Sequence, residues 1–291
     1  MEGDSAVHDE KRDAVAFEAC ESWLGTDRPV IPTDGEGPRR TAALVGYSID
    51  RYAVSVERFA AFAKATRYET EAERIGWSYV FRGLIDDPEK VDIIGEADGT
   101  AWWLGVNGAS WRNPTGNGES ALPDHPVTHI SWHDAATFAE WVGGRLPNEL
   151  EWEHAARGGT DNIRYPWGDE EPDDETIFCN IWQGRFPDVN TVRDGYVGTA
   201  PIDAFGPNAA GLYNMAGNVW EWTADRFRVR SLKSAAKKRN AEAQRHGERI
   251  VKGGSFLCHA SYCWRYRIAA RSGRPPDSSS SNSGFRLVYS A

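Results

Sequence analysis

Three stretches of the chain place apolar residues at helical spacing behind a capping residue. Ser55 precedes Val56, Phe59, Ala60, Phe62 and Ala63, three and four residues apart, which predicts a helix to about Thr66. Ser131-x-x-Asp134 is a capping pattern ahead of Ala135, Phe138, Ala139 and Trp141. Asn148-x-x-Glu151 opens a third helix that Gly158-Gly159 should end. Strand-like text is sparser. Ala42–Ile49 reads as one strand, Phe17–Pro32 holds a weaker one, and the polar stretch 33–40 turns between them. Residues 70–126 show no period but carry Trp77, Tyr79, Phe81, Trp102, Trp103 and Trp111, which predicts a long irregular segment packed by its own side chains or used functionally. Past Tyr165 the text is rich in Gly, Asn, Asp and Trp, without a helix signal until about Ser231. The basic run 226–252 reads as a solvated loop or exposed helix, with a docking surface as the lesser alternative. Residues 1–16 read as a polar arm and 17–291 as one domain, since neither a repeat nor a linker interrupts them.

Composition sharpens this to an α+β, loop-rich class. With 291 residues the chain can bury a large core, and its 13 Trp, 29 Gly and 15 Pro point to loops pinned by aromatic rings rather than to long helices. The net charge of −10 argues against nonspecific nucleic-acid binding, which needs local positive charge. No run approaches the roughly 18 apolar residues of a membrane span. The polar, acidic opening MEGDSAVHDEKRDAVAFEAC lacks the apolar region of a secretory signal, so the expected compartment is the cytoplasm. Thiols stay reduced there, and four scattered cysteines make no disulfide framework.

Three constellations could carry chemistry. His125, His129 and His133 have i, i+4 spacing, but Pro126 and the β-branched Val127-Thr128 break the helix that would align them, so they read as structural. Asn180, Asp194-Gly195-Tyr196 and the run Asn214–Glu221 mix amides, carboxylates and tight turns, the ingredients of a calcium site. The same residues are ordinary turn formers, and composition alone leaves both readings open. Cys258 and Cys263 have four residues between them within KGGSFLCHASYCWRYRIAAR. That is neither a four-ligand zinc site nor a two-residue redox spacing. Two thiolates alone suit a soft d¹⁰ ion such as Cu(I), with room for a third thiolate and dioxygen. Against this stands a pair of buried, inert cysteines. His259, Arg265 and Arg267 favour the reactive reading if they lie near the thiols.

The run GGSFLCHASYCWRYRIAARSGRPPDSSSSNSGFRLV resembles the C-terminal signature of formylglycine-generating enzymes, the sulfatase-modifying factors. GRLPNELEWEHAARGG, YPWGDE, GLYNMAGNVWEWTAD and ETEAERIGWSYVF also resemble blocks of that family, so that the resemblance runs from about Asp34 to Val288. It implies the family's variant of the C-type-lectin-like fold. It also implies O₂-dependent oxidation of a cysteine in a sulfatase-type Cys-x-Pro-x-Arg segment to Cα-formylglycine, with copper as cofactor. Carried over by position, Cys258 and Cys263 would bind Cu(I), Ser255 and Tyr262 would line the reaction pocket, Trp220 would wall it, and Asn282 would hydrogen-bond the substrate cysteine region. The hydroxyls of Ser255 and Tyr262 are expected to position reduced oxygen by hydrogen bonding. One structural Ca²⁺ would take Asn180, Ile181, Asp194 and Tyr196, and a second Asn214, Gly217, Val219 and Glu221. The amino-terminal strand text around Phe17–Gly25 and Cys179 depart from the family pattern. A biosynthetic paralogue acting on another peptidyl or small-molecule thiol, and a non-catalytic C-type-lectin-like binding module, are the alternatives.

Overall fold

The computed structural model describes residues 13–290. Strand β1 (Ala14–Phe17) lies within the stretch expected to be a polar arm, of which residues 1–12 are outside the described residues. Its apolar Val15 and Phe17 explain the difference, because they pack beside the Trp152 cluster. β2 (Cys20–Leu24) pairs antiparallel with β3 (Arg40–Leu44), and a single 3₁₀ turn at Pro32–Asp34 lies between them. The strand expected over Ala42–Ile49 is two strands. Val45, which is exposed, and Gly46 separate β3 from β4 (Tyr47–Asp50), and the two pair with different partners.

Helix α1 (Val56–Thr66) starts at Ser55, whose hydroxyl accepts from Arg58 N, and buries Val56, Phe59, Phe62 and Ala63. The segment expected to be irregular contains regular structure. α2 (Glu71–Ile75) is closed by a Thr70/Glu73 capping box, and β5 (Trp77–Phe81), β6 (Ile93–Ala97) and β7 (Thr100–Asn107) form a sheet in the order β5-β7-β6. Its aromatic side chains hid the strand period from the sequence. α3 (Trp132–Trp141) and α4 (Glu149–Arg157) carry the capping boxes read from the text, and Gly158 ends α4 in the left-handed conformation. Trp141, expected to be buried, keeps about a third of its surface exposed, at 36%.

Two short strands, β8 (Gly184–Arg185) and β9 (Val189–Asn190), form a hairpin. The central sheet follows, from β10 (Trp220–Arg226), β11 (Arg249–Lys252), β12 (Ser272–Arg274) and β13 (Ser283–Gly284), in the order β12-β11-β10-β13. Between β10 and β11 the basic stretch forms α5 (Ser234–Arg245), largely exposed, with only Ala236 and Ala243 buried. Lys252, counted in the same stretch, is instead fully buried. β14 (Val288–Ser290) returns to pair with β4 opposite β1, so both ends of the described chain meet in one sheet. The main core joins α1, α3 and the central sheet through Phe59, Phe138, Trp222 and Phe285, and Cys258 and Cys263 belong to it. Among the described residues no helix is long and apolar enough to cross a membrane.

Candidate active site

The site begins where β11 ends. Gly253 and Gly254 both have positive φ and turn the chain into Ser255–Cys263. At Gly254 a Cβ would fall 3.0 Å from Arg265 O and Tyr266 N, so only glycine lets the two strands of this loop pass. Cys258 N donates to Ser255 O at 2.8 Å, and Cys263 N returns to His259 O at 2.9 Å, which folds the thiols toward each other. Their sulfurs stand 2.6 Å apart, both cysteines are buried, and neither is in a disulfide.

Their acidities are driven apart. Burial pushes the Cys258 thiol well above its ordinary value, and the neighbouring Cys263 adds to this. Burial would raise Cys263 too, but the hydrogen bond from Cys258 and the Arg265 guanidinium outweigh it and bring that thiol down to about 7. The pair therefore keeps its proton on Cys258 and offers a thiolate on Cys263 near neutral pH. Of the three basic neighbours in sequence, only Arg265 reaches the thiols, with Nη1 3.9 Å from Cys263 Sγ. Arg267 forms a two-pronged ion pair with Glu36 at 2.6 and 3.0 Å, and His259 bonds Ser261.

Ser255 is fully buried, and its hydroxyl accepts from Asn282 Nδ2 at 2.9 Å. Asn282 Oδ1 in turn accepts from Ser280 Oγ at 2.9 Å. One N–H of the Asn282 amide thus holds Ser255 in place. Trp220 N donates to Asn282 O at 2.9 Å, and the buried indole shares a core cluster with both cysteines. Tyr262 is 44% exposed and stacks on Phe186 at 4.0 Å, with Trp102 edge-on at 5.4 Å. Burial of its phenol and the nearby thiols raise its pKa, so it stays protonated at neutral pH. Ser255, Trp220, Asn282, Tyr262 and the two cysteines thus meet at one place.

Sequence reasoning missed Asp34, Trp102 and Phe186. Asp34 accepts from Arg265 Nε at 2.5 Å across 231 positions, a separation no motif encodes. Trp102 and Phe186 lie in aromatic text whose fold was not legible.

The donor set fits Cu(I): two soft sulfurs, and among the described residues no group of three or more His, Cys, Asp or Glu that could hold a metal. The calcium reading rests on stranded acceptors. Asn180 Oδ1, Asp194 Oδ2 and Asn214 Oδ1 are shut away from solvent without a hydrogen-bond partner. Burial also raises the pKa of Asp194, as an uncompensated carboxylate should show. An oxygen-loving cation would satisfy such atoms. Ile181 O already accepts from Gln183 Nε2 at 2.8 Å, and Tyr196 N donates to Asp194 Oδ1 at 3.0 Å. Gly217 has positive φ, and a Cβ there would strike Asn180 O at 2.4 Å, so the two turns interlock. Glu221 differs from the other expected ligands. Its two oxygens already accept from Arg286 at 2.7 and 2.8 Å and from Trp152 Nε1 at 2.7 Å. These turns also brace the thiol loop, since Asn218 N donates to Asn180 O, Phe256 N to Asn218 O and Trp182 N to Cys258 O, at 2.8 to 3.0 Å.

The three histidines do not converge. His125 bonds Thr199, His129 is buried against Ser78 with φ +57°, and His133 is exposed beside Glu71.

Residues 5–291 match the family model of the sulfatase-modifying factor enzyme 1-like domain. A formylglycine-generating enzyme of Thermomonospora curvata is 52% identical over 91% of this chain and 88% of its own length. One of Bos taurus is 49% identical over 91% of this chain and 71% of its own. A Bos taurus protein named as an inactive C-alpha-formylglycine-generating enzyme 2 is 39% identical over 92% of this chain and 85% of its own. In structure, PvdO of Pseudomonas aeruginosa superposes with a TM-score of 0.66 at 20% identity, covering 96% of this chain and 94% of its own, a likeness of fold.

Proposed function

Because the chain belongs to the sulfatase-modifying factor enzyme 1-like family, we propose that it oxidises a cysteine of a sulfatase-type polypeptide to Cα-formylglycine, with O₂ as electron acceptor and a Cys-x-Pro-x-Arg segment as substrate. The observation that carries this reading is the buried Cys258–Cys263 pair, with one thiol held down to about 7 beside Arg265. Family membership alone does not carry it, since a relative named as inactive is 39% identical.

Turning a CH₂SH group into an aldehyde removes two electrons from the β-carbon, expels the sulfur as sulfide and takes its oxygen from water. The two electrons reduce O₂ to hydrogen peroxide, or to water where an external thiol adds two more. Cu(I) held by Cys258 and Cys263 would supply the affinity for a third thiolate and the electron-transfer chemistry that O₂ requires.

The chain's own residues supply the surroundings. Cys263 provides a thiolate without an outside base, and Arg265 balances its charge from 3.9 Å. Ser255, fixed by Asn282, and the protonated Tyr262 phenol are the hydroxyl donors beside the thiols that can steady developing negative charge. Trp220 closes the inner wall against water, while Tyr262, Phe186 and Trp102 form an aromatic shelf at the outer edge for an extended peptide. The Asn180/Asp194 and Asn214 turns would each take a structural Ca²⁺ and stiffen the loop from behind.

The test is turnover by reduced protein loaded anaerobically with one equivalent of Cu(I). Given a Cys-x-Pro-x-Arg peptide and O₂, mass spectrometry should show loss of the thiol and gain of a hydrazide-reactive aldehyde. A loaded protein that leaves the peptide unchanged overturns the activity. Equal turnover by rigorously copper-free protein overturns the cofactor.

A further inference from the structure

A groove of about 760 Å³ runs between the loop at Thr26–Pro38 and the first turn of α5. The loop wall is fixed by Glu36, which binds Arg267 and accepts from Val30 N at 2.8 Å. The helix wall is fixed by Asn240, whose amide closes on both Val229 N and Val229 O at 2.7 and 2.8 Å. Prolines on one side and Val229, Ala235 and Ala236 on the other make the floor apolar, and Leu232, 90% exposed, stands beside it.

The charges are sorted by availability. Asp27 and Asp34 line the groove, but Asp27 accepts from Arg39 N and Asp34 from Arg265 Nε. Arg239 is paired with Glu248, whereas Arg230 and Lys233 show no ion pair among the described residues and are exposed. The first turn of the twelve-residue α5 has no side-chain cap and no acidic residue, so its N–H groups add to the positive end of the groove. Residues 226–245 hold eight Lys or Arg against one Glu, a net +7 in a chain whose total is −10. The groove is also next to the chemistry. Asp34 lines it and binds the guanidinium that lies 3.9 Å from Cys263 Sγ.

We propose that this groove docks an acidic stretch of the polypeptide substrate, a segment flanking the cysteine that reacts. The inference rests on the activity proposed above and extends it to substrate choice. An extended flank reaches the groove from the thiols along the surface that Arg265 and Asp34 share. There its carboxylates meet Arg230, Lys233 and the helix N-terminus, and its apolar side chains meet the Pro and Ala floor.

The experiment compares fluorescently labelled peptides built on one Cys-x-Pro-x-Arg core, with Ser replacing the cysteine so that no reaction intervenes. Each carries a flank of four Glu or of four Gln on one side or the other, and anisotropy is read with the full-length, copper-free protein at low salt. The Glu flank on one of the two sides should bind about tenfold more tightly than its Gln counterpart. That gain should vanish in about 0.5 M salt and in the double variant R230E/K233E. The variant should still convert the unflanked cysteine peptide at the wild-type rate. Equal binding of Glu and Gln flanks on both sides, or a gain that survives charge reversal, overturns the proposal. So does a protein dimer in sedimentation that R230E/K233E dissociates, which assigns the groove to a second copy. A Glu flank that binds only after residues 1–12 are removed overturns it as well, and assigns the groove to the chain's own acidic start. Loss of turnover with the anisotropy gain intact counts against the activity alone, and turnover without the gain counts against the groove alone.

Discussion

Two buried polar regions back the same turn, Gly253–Cys258, and they are built on opposite plans. On one side every charge is answered from within the chain. Lys252 Nζ lies 2.8 Å from Glu153 and 3.7 Å from Glu149, Arg271 Nε lies 2.7 Å from Glu149, and Arg286 grips Glu221. On the other side the chain supplies acceptors without partners, namely Asn180 Oδ1, Asp194 Oδ2 and Asn214 Oδ1, beside two thiols free of any disulfide. A buried carboxylate that has its own arginine needs nothing from solution. One left with a stranded oxygen takes a partner from outside the chain, a role the proposed Ca²⁺ would fill. The first region is closed on itself, and the second is the one to which the proposed copper and calcium sites belong.

Four measurements would sharpen or break that contrast. Cys258→Ser or Cys263→Ser should lower peptide conversion by at least about a thousandfold, the scale of removing an essential reacting group. The denaturation midpoint should barely move, and an active serine variant would return the thiols to inert core. Lys252→Ala should do the reverse. Removing one of the two cations on buried Glu153, with Arg157 still 3.5 Å away, should cost about 3 kcal/mol in chemical denaturation, with Cu(I) stoichiometry unchanged. A variant within 1 kcal/mol (about one surface pair) would show that the ion cluster is not what holds the scaffold.

Calcium tests the stranded acceptors. Wild-type protein stripped with chelator should gain about 2.7 kcal/mol at a hundredfold excess of Ca²⁺ over its dissociation constant. Asp194→Asn should lose most of that gain while keeping its chelator-treated stability. Unchanged calcium stabilisation in the variant would remove Asp194 from the ligand set. The last test concerns the pH response of His129, which is buried against Ser78. Burial lowers the pKa of His129 to about 3. Its unfolded counterpart binds a proton near 6.5, so the folded state is favoured above that pH and loses ground as pH falls toward 3, by up to about 1.4 kcal/mol per unit. His129→Gln should flatten that acid limb of the stability curve, and an unchanged limb would assign it to other groups.

The candidate site was partly legible because its reactive residues are local. The spacing of Cys258 and Cys263 left a two-thiol site and inert core cysteines both open, and resemblance to a family named Ser255, Tyr262, Trp220 and Asn282, which the fold brings together around the thiols. The partners were not legible. Arg265, Arg267 and His259 looked equivalent beside the cysteines, yet only Arg265 faces them, because Glu36 draws Arg267 away and Ser261 holds His259. That Glu221, expected as a calcium ligand, also carries Arg286 and Trp152 on its oxygens could not be read from its motif.

The sequence by itself determined the elements whose signals are short-range. Ser55, Ser131 and Asn148 start their helices because a capping side chain reaches only two or three residues along the backbone. Tertiary structure decided everything that depends on which distant groups meet: the sheet β5-β7-β6 within apparently irregular aromatic text, the split of β3 from β4, and the Asp34–Arg265–Cys263 relay. Hydrogen bonds and charges act over a few ångströms in space, and the chain brings residues 231 positions apart within that range only once it has folded.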